Sequence, residues 1–377
     1  VYKRQTLAGL AFSPAVLIAA RILQGLGSSM IFTNGMAILT SVFPPQERGR
    51  VLGWNVAAVY AGLSAGPFLG GFLTQLLTWR SVFLVIVPPC LVVAALMARL
   101  DEEWADSRGE SFDLAGSLIY GASITALTYG LTRLPDPTGF FFVASAVAGL
   151  VVFVVWERLT SSPVFPIDLF SSNRVFAFSS LSALLHYSAT FAVTFLISLY
   201  LQYIKALSPR DAGLVLIAQP VMMALFSPVM GRLSDRINPG VVASIGMAIT
   251  AAGLLALSQI GPQTALPAVV LTLAFIGFGY AAFSSPNTNA IMGAVEKRHY
   301  GLASAAVGTM RLLGQMTSMG VSTMVFSIYL GRSRITPDLY PRFMEAVAVV
   351  FYICLGFCII GIFASLVRST GKSEEST

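Results

Sequence analysis

Residues 239–260 read PGVVASIGMAITAAGLLALSQI and contain no charged side chain. A helix needs about 20 apolar residues to cross the hydrocarbon core of a bilayer. Backbone polar groups inside lipid must bond to one another, so this stretch is predicted to be a membrane-spanning helix. The alternating pattern of a membrane β-strand is not found in it.

Comparable apolar stretches recur along the whole chain. Hydrophobic residues make up 56% of it and charged residues 11%, whereas soluble domains carry about 25% charged residues. We therefore predict an all-α polytopic membrane protein, with residues 6–12 as the end of an earlier span. Eleven complete spans are expected at 14–40, 51–76, 81–100, 113–133, 139–157, 173–203, 210–231, 239–260, 265–294, 301–330 and 343–367.

Two polar links divide the chain. Asp101–Asp113 contains six acidic residues, and Thr160–Asn173 contains two prolines. Between them lie two spans that are predicted to form a central insert. The expected parts are a partial N-terminal bundle at 6–100, the insert at 101–160 and a C-terminal six-helix bundle at 161–377. Residues 1–5 resemble a translated sequencing adaptor and are expected to be non-native, with the natural sequence truncated before Thr6.

The basic residues predict the orientation in the membrane. Alternate gaps place twelve Lys and Arg on one side and seven on the other. The richer side is expected to be cytoplasmic, which puts the C-terminus inside the cell, in a plasma membrane. This distribution also explains the formal charge of +6 without nucleic-acid binding.

A weak internal repeat relates the two halves. A shift of 252 residues places Gly25, Gly27 and Gly49 on Gly277, Gly279 and Gly301. Gly62 then falls on Gly314. Parallel repeats occur in several transporter folds, with the substrate site between the halves. Coincidence remains an alternative.

Polar residues inside the predicted spans are candidates for a transport pathway. Arg21 and Gln24 lie one turn apart, and an interior Arg is expensive in lipid and therefore a functional candidate. Snorkelling to the interface is the alternative for Arg21. Arg311 and Gln315 form a similar pair, and Asn287 is a further candidate for the cavity. His186 is more simply interpreted as a packing residue.

A glycine-rich segment in the second span predicts close helix contact or bending. Small residues four apart let helices approach closely, and an internal proline removes a backbone donor. Packing alone explains the glycines, whereas the added proline favours a helix that bends or slides. The segment comprises Gly62, Gly66, Pro67, Gly70 and Gly71.

A turn at Gly231–Arg236 is predicted to fasten two helix ends together. Asp235 can cap the following backbone or pair with Arg232 or Arg236. An ordinary solvated loop with positive-inside arginines is the alternative.

The composition argues against catalytic and metal chemistry. The chain has two His and three Cys, with no nucleotide-binding loop and no metal-ligand cluster. We therefore expect no enzyme activity, no metal and no cofactor. No span core contains Asp or Glu, so an interior carboxylate for proton coupling is expected in sequence before Thr6, or coupling works differently.

These motifs resemble the major facilitator superfamily, and more narrowly its fourteen-span drug–proton antiporter branch. Arg21–Gly27 is similar to the family's fourth-span motif, and Gly62–Gly71 to its fifth-span motif G-x-x-x-G-P-x-x-G-G. Trp79-Arg80 with Phe83 and Pro88 resembles the entry to span six, although Ile86 stands where the family often has Asn. Gly231–Arg236 resembles the cytoplasmic loop motif.

The resemblance implies a fold of two pseudo-symmetric bundles and a function. Arg21 would take part in proton relay, and Gly62, Gly66 and Pro67 would shape the inward–outward switch. The expected protein is a monomeric carrier in the lipid bilayer that exports small amphipathic or cationic compounds in exchange for protons. A nutrient or siderophore symporter or uniporter, and a non-transporting membrane scaffold, remain alternatives.

Overall fold

The computed structural model describes residues 13–99, 113–160, 163, 165, 167–331 and 335–370. Over these residues the chain is helical, as the sequence predicts. The helices are α1 (Pro14–Val42), α2 (Arg48–Leu76), α3 (Ser81–Leu84), α4 (Val87–Met97), α5 (Leu114–Arg133), α6 (Pro137–Leu159), α7 (Asp168–Ser172), α8 (Arg174–Leu199), α9 (Pro209–Leu216), α10 (Ala218–Ser234), α11 (Pro239–Ser258), α12 (Leu266–Gly293), α13 (Tyr300–Leu330) and α14 (Tyr340–Thr370).

The dipeptides Ser13-Pro14, Ser208-Pro209 and Asn238-Pro239 each start a helix in the same way. The side chain of Ser13 accepts a hydrogen bond from the Val16 backbone N–H at 3.3 Å, and Asn238 accepts from Gly240 at 2.8 Å. The proline that follows stands at the first helical position, where its missing N–H costs nothing. The caps therefore set the first residue of these helices, at the boundaries that the sequence predicts.

The prediction of an all-α polytopic fold is confirmed, while the number of spans stays a prediction. Eight helical segments of the described residues have the length and hydropathy to cross a membrane. Helices α2 and α13 are 29 and 31 residues long but fall outside that set, as does the shorter segment Ser81–Met97. Helices α2 and α13 are rich in small and polar residues, and these line their contacts with other helices.

The second half of the chain forms the main core. Helices α8 and α14 pack side by side, and α11 packs against both α12 and α14. Apolar side chains such as Leu196, Leu254, Phe343 and Phe351 are fully buried between them. The helices of the region predicted as an insert, α5 and α6, pack mainly on each other and touch α13. One contact between the two regions is a 3.2 Å hydrogen bond from the Tyr120 hydroxyl to Thr309. Whether the insert is a domain of its own stays a prediction.

Glycine determines how closely α11 and α12 approach. A Cβ atom added at Gly246 would lie 2.6 Å from the backbone of Ala282 and Phe283, and one added at Gly279 would lie 2.8 Å from the Thr250 nitrogen. The obstacles are backbone atoms, so a side chain there forces the helices apart. Small residues at such contacts are the usual basis of tight helix packing in membranes.

We expect Gly246→Ala to destabilise the protein. Overpacking of this kind costs about 1–3 kcal/mol, so the melting temperature in detergent should fall and less monodisperse protein should be recovered. Gly213→Ala is the matched control, because a Cβ there has no heavy atom of the described residues within 4 Å and alanine favours helix. Equal melting temperatures for the two variants would contradict the proposed close packing.

Candidate functional site

The two halves meet at one end of the molecule through α2 and α10. Gly49 and Gly231 lie so close that a Cβ on either would collide with the other's backbone carbonyl oxygen. One turn further on, a Cβ at Gly53 would meet the backbone of Ser227 and Pro228 at 2.5–3.0 Å. Neither helix can therefore carry a side chain at this crossing, which brings the start of α2 against the end of α10.

Asp235 fastens this crossing by capping the N-terminus of α2. Its two carboxylate oxygens accept hydrogen bonds from the backbone N–H groups of Gly49 at 2.6 Å and Arg50 at 2.9 Å. The first N–H groups of a helix have no partner within the helix and carry partial positive charge, so a carboxylate is a favourable ligand for them.

Asn289 of α12 joins the same contact. Its side-chain nitrogen donates to the Ser234 hydroxyl at 3.0 Å and to the Asp235 carboxylate at 3.3 Å. We call the group of Gly49, Arg50, Ser234, Asp235 and Asn289 the clasp. It unites three helices, two from the second half and one from the first.

The clasp differs in its partners from the sequence-based hypothesis. Asp235 does fasten two helix ends, but within the described residues neither Arg232 nor Arg236 forms an ion pair with it. The partner is instead the N-terminus of a helix 185 positions away. The reason is that Gly49 and Gly231 admit the backbone of α2 to the carboxylate.

Burial makes the clasp a moderate contact rather than a permanent one. Desolvation raises the pKa of the Asp235 carboxyl above its usual value, although the hydrogen bonds from Arg50 and Gly49 oppose that shift. A raised pKa means that the ionised form is less favourable here than in water. Opening the clasp therefore costs less free energy than its hydrogen bonds alone would indicate.

Apolar side chains seal the same end of the molecule. Met36 and Leu52 of the first half pack with Ile291, Tyr300 and Val307 of the second. In addition, the Arg48 guanidinium lies 5.2 Å from the centre of the Tyr300 ring. The two halves are thus packed together by apolar contacts at the clasp end.

The glycines of the predicted switch motif have no close neighbour among the described residues. For Gly62, Gly66 and Gly70, no heavy atom of the described residues lies within 4 Å of an added Cβ. Helix α2 continues through Pro67 and Gly71, whose side-chain surroundings lie outside the described residues. The described residues therefore place no neighbouring helix against these three glycines.

The internal repeat indicates what such a partner is. Gly314, which corresponds to Gly62, packs tightly on α8, where an added Cβ would lie 2.6 Å from the Leu184 carbonyl oxygen and from Tyr187. A glycine at this place in the second half thus admits a neighbouring helix. By the repeat, Gly62 would serve a helix that corresponds to α8.

A small cavity lies where the two halves meet, beyond the clasp. Its volume is about 10 Å³, room for about one water molecule. Arg311 lines it 11 residues after the start of α13, and Tyr60 lines it 12 residues after the start of α2. At 1.5 Å per residue both lie about 16–18 Å from those helix ends, near the middle of a bilayer. The lining residues are Phe32, Met36, Asn55, Val56, Val59, Tyr60, Tyr187, Ser284, Thr288, Val307 and Arg311.

Aromatic rings from both halves surround Arg311. Its guanidinium carbon lies 5.7 Å from the centre of the Tyr187 ring and 5.9 Å from those of Tyr60 and Phe32. The ring of Phe32 lies against α13 at Gly308, where an added Cβ would be only 3.2 Å from it. The missing side chain at Gly308 leaves room for the ring. Tyr280 stacks edge-on against Tyr60 with ring centres 5.3 Å apart. We call Phe32, Tyr60, Tyr187 and Arg311 the arginine cage.

The structure separates the polar candidates that the sequence grouped together. Arg311 lines the cavity, whereas Gln315, one turn on, is partly buried and does not line it. Asn287 is buried between α12 and α8, where it donates to the Ser179 carbonyl at 3.0 Å. Thus Asn287 lies at a helix contact rather than in the described cavity.

Arg21 and Gln24 form a second, distant pair. Arg21, which is exposed, donates to the side-chain oxygen of the half-buried Gln24 at 3.1 Å. Its guanidinium also lies 4.9 Å from the centre of the Phe83 ring. Arg21 precedes Phe32 by 11 residues, about 16 Å along α1, so the two arginines do not share one cavity. The roles of Arg21 and Arg311 in a proton relay or substrate cavity stay predictions.

His186 is a buried ring packed among other rings. It is stacked on Phe283 with centres 4.0 Å apart and meets Tyr280 edge-on at 4.8 Å. Within the described part of the chain, neither ring nitrogen has a hydrogen-bond partner. This arrangement supports the interpretation of His186 as a packing residue.

Sequence reasoning missed the aromatic members of the cage. Phe32, Tyr60 and Tyr187 occur in a chain with 26 Phe and 12 Tyr, most of which face lipid or fill the core. A possible signal was the repeated pairing of Tyr with a nearby polar residue, as in His186-Tyr187. It could not be distinguished from ordinary packing.

The membrane-length helices and the small cavity where the two halves meet are those of a polytopic membrane protein. The family model described as Major Facilitator Superfamily matches residues 6–185 and 179–377. The chain therefore belongs to the major facilitator superfamily, a family of transporters that move small molecules across lipid bilayers.

Relatives in this family carry different cargoes. Riboflavin transporter RibZ of Clostridioides difficile is 26% identical over 366 residues, which cover 95% of this chain and 79% of that protein. Cephamycin export protein CmcT of Amycolatopsis lactamdurans is 30% identical over 379 residues, 97% of this chain and 77% of its own length. The crystal structure of the human organic anion transporter MFSD10 has a TM-score of 0.65 at 14% identity, covering 97% of this chain and 74% of that one. This last similarity shows the fold alone.

We expect Asp235→Ala to loosen the clasp. Loss of hydrogen bonds to a charged acceptor costs about 1.5–3 kcal/mol each, so the crossing of α2 and α10 should open more often. A cysteine placed at Ser227, which is fully buried beside Gly53, reports this as faster labelling by a maleimide. The new cysteine is introduced into a Cys90→Ser variant. The two remaining natural cysteines, Cys354 and Cys358, are buried, so labelling reports on position 227.

Asp211→Ala is the matched control. Asp211 is an exposed residue in the first turn of α9, bonded to Ser208, and takes no part in the clasp. Its removal should leave labelling at position 227 unchanged. If Asp235→Ala also left the rate unchanged, the clasp would not hold this end closed.

Proposed function

We propose that this protein is a secondary active transporter that exports small amphipathic compounds in exchange for protons, by alternating access between its two helix bundles. The observation that carries the proposal is an asymmetry along α2. At the clasp end this helix is fastened to the second half, whereas at Gly62, Gly66 and Gly70 no heavy atom of the described residues lies within 4 Å of an added Cβ.

The proposed cycle follows from this asymmetry. The cavity at the arginine cage holds about one water molecule in this conformation, so a substrate requires α1 and α2 to move away from α8 and α13. A moderate clasp can release that end and close again, because its bonds join whole helices through a few polar groups. By the basic-residue distribution, the clasp end is cytoplasmic, and the C-terminus lies on the same side of the plasma membrane.

The relatives support export as the direction of transport, since one of those described is a cephamycin export protein. The similarity to a riboflavin transporter supports the alternative of nutrient transport. Proton coupling rests on the resemblance of Arg21–Gly27 to the fourth-span motif and on the expected carboxylate before Thr6.

Proteoliposomes containing the protein, expressed from its full reading frame, test this proposal. We expect vesicles that are acidic inside to accumulate an amphipathic probe as protons leave, and a protonophore to abolish the accumulation. Naphthalene derivatives of fixed charge are suitable probes, because they do not redistribute with pH by themselves. Arg21→Ala should abolish the proton-driven component while reconstitution stays normal. Accumulation without a pH gradient, at the same rate, would reject proton coupling and favour a uniporter.

The glycines of α2 provide a separate test of the switch. Leucines at Gly62 and Gly66 should leave the clasp-closed conformation intact, because no heavy atom of the described residues lies within 4 Å there. Transport should nevertheless fall at least tenfold, because the repeat places a neighbouring helix against Gly62. The control is Leu63→Ile, an exposed position on the same helix. Normal turnover of the double leucine variant would show that the motif faces lipid throughout the cycle.

A further inference from the structure

The arginine cage contains a cation for which the described residues provide no counter-ion. None of the hydrogen bonds or ion pairs among the described residues involves the Arg311 guanidinium. The described Asp and Glu residues stand in links or near helix ends; Glu157 lies two residues before the end of α6, and Glu345 five residues after the start of α14. A charged side chain at this depth in a membrane is expensive unless it is paired.

The aromatic rings compensate part of the cost of burying the Arg311 charge. Three rings lie within about 6 Å of the guanidinium, the range in which a ring face attracts a cation. Among the described residues, no hydrogen bond joins the guanidinium to the hydroxyl of Tyr60 or Tyr187, so its five N–H donors are not used by the rings. The cage therefore holds the charge in place while it leaves the hydrogen-bonding fork available.

The available fork determines the chemistry that fits. A guanidinium binds a carboxylate or another oxyanion through two parallel hydrogen bonds. The rings of Phe32, Tyr60 and Tyr187 provide flat apolar surfaces beside it. These features together match an anionic group attached to an apolar or aromatic body, and they repel a cation.

The position of the cage links it to the transport cycle. Phe32 and Tyr60 belong to the first half of the chain, whereas Tyr187 and Arg311 belong to the second. Movement of the halves therefore opens and rebuilds the cage. A ligand that contacts residues of both halves therefore binds the two conformations with different affinity, as a transported substrate must.

We propose that the substrate is an amphipathic anion, whose carboxylate or similar oxyanion pairs with Arg311 while its apolar body lies among the aromatic rings of the cage. This rests on the proposed transport function and narrows it: the expectation of cationic compounds, which the family resemblance implies, does not fit the cage.

Binding measured without a membrane gradient tests the inference separately from proton-driven transport. Three probes share one ring and differ in fixed charge: naphthalene-2-sulfonate, the neutral naphthalene-2-sulfonamide and a naphthylmethyl-trimethylammonium cation. Equilibrium dialysis with detergent-purified protein, corrected with empty micelles, gives the affinity for each. We expect the sulfonate to bind at least tenfold more tightly than the sulfonamide, and the cation least tightly.

Variants assign that preference to Arg311. Arg311→Gln should abolish the difference between sulfonate and sulfonamide, and Arg311→Lys should retain part of it, because lysine keeps the charge but loses the fork. The matched control is Arg133→Gln, since Arg133 also lies over a tyrosine ring, 5.2 Å from the centre of Tyr129, outside the cage. Its selectivity should equal that of the unmodified protein.

Each outcome supports or contradicts the proposal that the substrate is an anion bound by Arg311. Equal binding of the three probes, tighter binding of the cation, or undiminished selectivity in Arg311→Gln would overturn the inference. If Arg311→Gln fails to fold, the order of the three probes on the unmodified protein and the Arg311→Lys variant remains decisive. Sulfonate-selective binding together with a failed proton-driven assay rejects the coupling and keeps the substrate class. Proton-driven transport of the cation alone rejects the substrate class and keeps the coupling.

Discussion

The carboxylate of Asp235 at the N-terminus of α2 joins the two halves of the molecule, and the rest of the observed conformation depends on this contact. Charge, two backbone donors and the helix dipole all favour the interaction, and desolvation of the carboxylate opposes it. It is possible only because Gly49, Gly53 and Gly231 carry no side chains at the crossing. With this end fastened, α2 holds Tyr60 over the second half, where it forms one wall of the cavity that Arg311 lines.

The same contact requires one specific arrangement of three helices. An apolar seal by itself is broad and forms without strict geometry, whereas the carboxylate bonds need α2, α10 and α12 to meet in one arrangement. A raised pKa at Asp235 shows that desolvation offsets part of the gain. The closed end is therefore defined in structure yet moderate in free energy.

Sequence reasoning was most successful where the physical rule is local. The helices and their boundaries followed from apolar length and from caps such as Ser13 and Asn238, because a membrane leaves the backbone few alternatives. The role of Asp235 was identified in kind but not in partner, since nothing local shows that residue 49 lies beside residue 235. The cage was half identified: Arg311 stood out as an intramembrane charge, whereas Tyr60 and Tyr187 resembled the many other aromatic residues.

The sequence by itself determined that this protein is a polytopic helical membrane protein, which segments are helical and where its few intramembrane charges lie. These are consequences of composition and of distances along one helix. The tertiary structure decided which of these charges meet: it placed Asp235 on the start of α2, surrounded Arg311 with rings from both halves and kept Arg21 in a separate place. Such pairings depend on the close approach of helices that are far apart in sequence, and that approach is set by packing at a few glycines rather than by any local pattern.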